Sequence, residues 1–117
     1  GRIQGGPNRR LARAGDGAIK AGSIMKLGHM NLARKNYAEG ARCFAEVGLL
    51  YNDEALSAEA LYFAGKANAL LGVGNEAAKF WRELVKRYPG SRWAAEGRRE
   101  LTSAGLVPGP ETPSKKE

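Results

Sequence analysis

Between residues 19 and 103 the chain holds a single proline, Pro89, in a stretch dominated by Ala, Leu, Glu, Lys and Arg. These side chains lose little freedom in a helix, so this stretch is committed to α-helix. The spacing predicts long helices over 19–34, 37–50, 55–72 and 75–88, with a shorter one over 92–103. Each break has a chemical cause. Asn36, followed by Glu39 three residues on, forms a capping-box-like start for the second helix. In Gly72-Val73-Gly74-Asn75 the glycines permit the left-handed backbone that ends the third helix, and the segment caps the fourth. Tyr88-Pro89-Gly90-Ser91 stops the fourth helix, with Ser91 as the cap of the last. All connections are short, so sequential helices must run antiparallel.

The helices repeat. Residues 58–91 span 34 positions. Small residues stand where two helices would cross (Gly65, Ala77), a glycine at the turn (Gly72), apolar residues at Trp81 and Leu84, and a proline stop at Pro89. The preceding segment follows the same plan with Leu27-Gly28, Tyr37, Gly40, Phe44 and Val47. Gly28 and Gly65 lie 37 residues apart, so the linker over residues 52–57 has gained three. Phe44 and Val47 in one hairpin, and Phe80, Leu84 and Tyr88 in the other, form stripes that neither hairpin can bury alone; stacking gives a shared core. A plain amphipathic four-helix bundle is the alternative to a repeat.

This arrangement resembles the tetratricopeptide repeat (TPR) family, whose period is 34 residues. Departures are Leu61 in place of the family's tryptophan, Asn68 in place of an aromatic, and Gly74 at the seventeenth position. Tyr88-Pro89-Gly90-Ser91 followed by Ala94, Gly97 and Leu101 is most similar to repeat ends in bacterial envelope TPR proteins, the Tol-Pal-associated periplasmic proteins and the outer-membrane-assembly lipoproteins. Gly97 replaces an alanine of that pattern. The resemblance implies an all-α fold of two TPR-like antiparallel hairpins plus a C-terminal capping helix, a short α-solenoid. It also implies a bacterial source and a periplasmic or membrane-associated location, with a cytoplasmic one as the alternative.

Different textures flank the helices. Residues 1–18 form a basic Gly/Arg-rich arm, read as irregular apart from one helical turn around residues 9–14. The helical domain occupies 19–103, and 104–117 read as a flexible, Pro-rich tail. The net charge is +7, of which +4 falls on residues 1–20 through Arg2, Arg9, Arg10, Arg13 and Lys20 against Asp16. Such an arm suits an acidic protein surface, anionic lipid or nucleic acid. It lacks the interleaved aromatic residues that stack on bases. A further basic face runs through Lys79, Arg82, Lys86, Arg87, Arg92, Arg98 and Arg99, diluted by Glu83 and Glu96; a solvated helix face is its commoner explanation. No apolar run approaches the ~18 residues of a membrane span. No apolar stretch near the N-terminus has the form of a signal peptide, and a chain opening on Gly1 gives that little weight.

Chemistry is sparse. One cysteine, Cys43, precludes an internal disulfide, and with the one histidine, His29, it offers two metal ligands where structural zinc wants four. The two lie at similar distances from the turn at Asn36, so a Cys–His nucleophilic pair is conceivable; a small apolar core cysteine is the plainer reading. No cofactor, small-molecule substrate or enzymatic activity is expected. In the TPR family the concave surface is lined from the first helix of each pair. Carried over, those positions are Gly22, Met25, His29 and Leu32, then Glu59, Tyr62, Lys66 and Ala69. Met25, His29 and Tyr62 do not supply the Lys/Asn clamp for an acidic chain terminus. Met25 and Tyr62 also suit packing between repeats. The expectation is a protein-interaction scaffold or adaptor in a larger multi-subunit assembly. It would bind through Met25, His29, Leu32, Glu59, Tyr62 and Lys66 and through Arg9, Arg10 and Arg13, with membrane-surface contact through basic residues as a further possibility. A nucleic-acid-associated protein using the arm is the alternative.

Overall fold

The computed structural model describes residues 2–105, of which 2–16 and 18 are described in their backbone alone. Among the described residues five helices follow one another: α1 Arg2–Ala33, α2 Tyr37–Leu50, α3 Glu54–Leu71, α4 Gly74–Arg87 and α5 Arg92–Ser103. The described residues contain no strand. Each helix packs on the next, and α3 also touches α1 and α5. The result is a short α-solenoid: two antiparallel hairpins, α1/α2 and α3/α4, closed by α5.

The first helix corrects one expectation. Residues 2–18, read as an irregular arm, have a helical backbone continuous with the helix that follows. Extending a helix that packing has already nucleated costs far less than starting one. The Arg, Gln, Leu and Ala residues of this segment are helix formers, and they outweigh its glycines and Pro7. The residues read as the Pro-rich tail lie outside the described ones beyond Gly105.

The hairpin turns show the repeat at atomic level. At the end of α1 the Asn36 N–H donates to Asn31 O (2.7 Å) and the Lys35 N–H to Leu32 O (2.9 Å). At the end of α3 the Val73 N–H donates to Asn68 O (2.9 Å) and the Gly72 N–H to Ala69 O (3.0 Å). Both are Schellman turns, 37 residues apart, and both need one left-handed residue: Gly72 at φ 87° and Lys35 at φ 64°. Asn31 and Asn68 also match, each donating its side-chain amide to the carbonyl four residues back, Leu27 O and Ala64 O.

Capping follows the sequence in part. Ser91 Oγ accepts from the Ala94 N–H at 3.0 Å, as expected of a cap. Asn36 occupies the N-cap position of α2 but makes no capping bond; its amide donates to Asn31 Oδ1 at 3.2 Å instead. Asn75 lies inside the first turn of α4, whose N-cap is Val73. The α2–α3 connection is only residues 51–53, because Asp53 caps α3 by accepting from the Leu56 N–H. The wholly buried Ser57 closes that corner, its Oγ 2.6 Å from Tyr51 O and 3.2 Å from Val47 O.

The core fills both hairpin interfaces. Met25, Phe44, Val47, Ala60 and Ala64 pack between the first hairpin and α3. Leu61, Tyr62, Trp81, Leu84, Ala94 and Leu101 pack between the second hairpin and α5. Glycine lets the helices approach. A methyl group on Gly28 would lie 2.9 Å from the Phe44 ring, and one on Gly48 2.8 Å from Leu61 Cδ2.

Candidate binding groove

Helices α1, α3 and α5, in contact one after the other, place the predicted groove positions along one surface. Three side-chain contacts bridge it. His29 Nε2 from α1 lies 3.2 Å from Glu59 Oε2 of α3. The Tyr62 hydroxyl of α3 donates to Glu100 Oε2 of α5 at 2.8 Å, and Lys66 Nζ lies 3.5 Å from the same oxygen. Four of the six expected groove residues therefore meet across helices: His29 with Glu59, and Tyr62 with Lys66 through Glu100. Leu32 is half-buried against the first core cluster. Met25 (4% exposed) and Tyr62 (8%) belong largely to the core, so only their polar or outermost atoms are available to a partner. Of the two outlying positions, Gly22 is half-buried and Ala69 is exposed. The side chains of Arg9, Arg10 and Arg13 lie outside the described residues.

An aromatic belt underlies these pairs. The His29 ring meets Phe44 and Phe63 edge-on, with centroids 4.9 and 4.7 Å apart. Phe63 in turn touches Tyr62 at 5.0 Å and Trp93 at 5.4 Å, and Tyr62 packs on Trp93 at 5.4 Å. Phe63, Trp93 and Glu100 were not among the residues expected from sequence. Phe63 follows Tyr62 directly, and the family positions pass over it. Trp93 and Glu100 sit on the closing helix, outside the two repeats whose positions the family pattern describes. Beside Trp93, between the starts of α3 and α5, a cleft of about 510 Å³ is lined by Glu54, Leu56, Glu59, Ser91, Arg92 and Trp93. The Arg92 guanidinium sits over the Trp93 ring at 5.0 Å.

Burial sets the electrostatics. The Tyr62 hydroxyl is pushed well above the ordinary tyrosine range by burial, by its hydrogen bond to Glu100 and by the charges of Glu100 and Glu96. Cys43 is 7% exposed, and its thiol is pushed up by burial and then by Glu39 and Glu46. That is the opposite of what activates a thiolate. His29 is engaged by Glu59 and two rings. No group of three or more His, Cys, Asp or Glu able to hold a metal occurs among the described residues.

The basic face of α4 and α5 is largely tied down. Lys79 pairs with Glu76 at 3.4 Å, and Arg87 donates to Gly48 O at 3.2 Å. Arg98 donates to Pro89 O at 3.1 Å. No helix among the described residues is long and apolar enough to cross a membrane.

No family model matches the chain, and no solved structure matches it. Over 73 residues it is 36% identical to the outer membrane protein assembly factor BamD of Rickettsia prowazekii (strain Madrid E). The match covers 62% of this chain and 29% of that protein, so the chain spans less than a third of its relative's length. A short all-α solenoid with a prearranged groove is thus similar in sequence to part of an outer membrane protein assembly factor.

Proposed function

We propose that this chain is a non-enzymatic TPR-type adaptor in a bacterial envelope assembly, periplasmic or membrane-associated, that holds a protein partner in the groove of α1, α3 and α5. The basic residues Arg9, Arg10 and Arg13 supply a second contact. The likeness to BamD and the Tyr-Pro-Gly-Ser repeat end support the envelope setting. The observation that carries the binding role is the groove's prearrangement. His29, Glu59, Tyr62, Lys66 and Glu100 are held by partners from another helix above a belt of rings. Little side-chain freedom is left to lose on binding, and rigid aromatic anchors are the residues that carry interface energy.

Photo-crosslinking in the native cells tests this. A benzoyl-phenylalanine at Lys66 or Glu59 should trap one discrete envelope protein, and the same group at the exposed Glu46 of α2 should trap none. Replacing Arg9, Arg10 and Arg13 by Ala should weaken the crosslink. Equal labelling from Glu46, or adducts that vanish with nuclease, would refute the groove reading; the second result would favour nucleic acid.

A further inference from the structure

The charge of this chain is segregated more sharply than its total suggests. Residues 1–36, which are α1 and its turn, contain eight Lys and Arg against one acid, Asp16; the remaining residues contain eleven of each sign. The whole net charge of +7 therefore belongs to the first helix and its turn.

That helix also has a bare apolar face. α1 packs on α2 and α3 through Ala21, Met25, Gly28 and Leu32. On the opposite side Ile19 is 68% exposed, Leu27 51% and Met30 45%. At 3.6 residues per turn, Ile19, Ser23, Leu27 and Met30 fall within about 80° of arc. Exposed Lys26 borders this stripe on one side and exposed Lys20 on the other. An apolar stripe flanked by lysines is the form of a helix lying in a membrane interface, with ammonium groups reaching the headgroups as the apolar residues enter the acyl boundary.

We infer that the outer face of α1 is a docking surface for anionic phospholipid, which lays the solenoid on a membrane with α1 against the bilayer. Charge decides the occupant. A second copy presenting the same face would oppose +7 with +7. The stripe carries no aromatic anchor, so it lacks the hot-spot chemistry of a protein interface. A surface of negative headgroups complements Lys20 and Lys26, which flank the stripe, and the neutral remainder of the chain offers no competing attraction.

Vesicle flotation of the full chain tests the inference. Vesicles of phosphatidylcholine mixed with phosphatidylglycerol should carry the protein at low salt, and pure phosphatidylcholine should not. Each of Lys20→Gln and Lys26→Gln should weaken partitioning by about fivefold, from the electrostatic contribution of one lysine near an anionic surface. The triple variant Ile19→Ser/Leu27→Ser/Met30→Ser should lose at least ~tenfold through its missing apolar burial, with an unchanged far-UV circular dichroism spectrum. Leu49→Ser/Leu50→Ser, two exposed leucines of α2, should bind as the parent does. No binding to anionic vesicles overturns the inference, and so does undiminished binding by the triple variant. Retention on polyglutamate without vesicle binding would also overturn it and make the face a protein contact.

Discussion

The indole of Trp81 lies directly against the backbone of Gly65, and its Nε1–H donates to Tyr62 O at 3.0 Å, one turn away on the same helix. A methyl group on Gly65 would stand 2.6 Å from Trp81 Cε2. The ring cannot retreat without breaking its hydrogen bond and leaving a buried N–H unpaired. Gly65→Ala should therefore destabilise the fold by about 3 kcal/mol, the upper range for overpacking. Gly22→Ala, where an added methyl meets nothing within 4 Å, should stabilise by ~0.5–1 kcal/mol through helix propensity alone. Urea unfolding of the two variants gives opposite shifts in midpoint if the helix crossing is as close as described.

Lys35 offers a gain. It takes the left-handed conformation that Gly72 takes at the equivalent turn. A side chain there costs roughly 1–2 kcal/mol. Glycine removes that strain, and its looser unfolded state offsets part of the gain. Lys35→Gly should raise stability by ~0.5–1 kcal/mol, and Gly72→Ala should lower it by ~1 kcal/mol. Thermal melts check both, and a destabilised Lys35→Gly would mean that its side chain makes a contact worth more than the strain.

These two turns also show what was legible in the sequence. Gly72, Pro89 and Ser91 announce their helix ends because each acts through its own backbone or side chain. Lys35 gives no such signal; its left-handed turn is visible only by analogy with Gly72. Asn36 has the chemistry of a cap, but the Schellman turn before it brings Asn31 Oδ1 within reach and takes its amide. The same limit governs the groove. Family spacing placed His29, Glu59, Tyr62 and Lys66 on one surface. The partner that joins Tyr62 and Lys66 is Glu100, which lies 38 residues beyond Tyr62 and reaches it only because α5 folds back onto α3. Burial of Met25 depends likewise on how closely α1 meets its neighbours, which glycines at Gly28 and Gly40 allow and no periodicity reports.

The Tyr62–Glu100 bond makes stability depend on alkaline pH. Burial, then Glu100 and Glu96, hold the Tyr62 hydroxyl protonated in the fold. The unfolded chain ionises near the ordinary tyrosine value of ~10. With the folded pKa the higher of the two, the contribution is complete below about pH 10 and falls as pH rises beyond it. Tyr62→Phe should cost about 1 kcal/mol at neutral pH through the lost hydrogen bond. It should also flatten the decline in urea midpoint above pH ~10. Absorbance titration of the parent should show one of its four tyrosines ionising only as the protein unfolds.

Cys43 decides between binding and cysteine chemistry. The side chain is 7% exposed, and its Cβ sits at the Gly28 crossing, where a methyl on Gly28 would lie 3.2 Å from it. Burial and two nearby carboxylates disfavour the thiolate, and His29, the one histidine, is held by Glu59, Phe44 and Phe63. Reaction with a water-soluble disulfide reagent requires the thiolate form and a local opening of the α1/α2 hairpin. The native protein should therefore react at least about a hundredfold more slowly than the urea-unfolded chain. The rate should follow hairpin stability, rising in Gly28→Ala, where the added methyl meets the Phe44 ring at 2.9 Å. Native labelling at the unfolded rate would put an accessible thiol beside His29 and reopen the case for a cysteine-dependent enzyme.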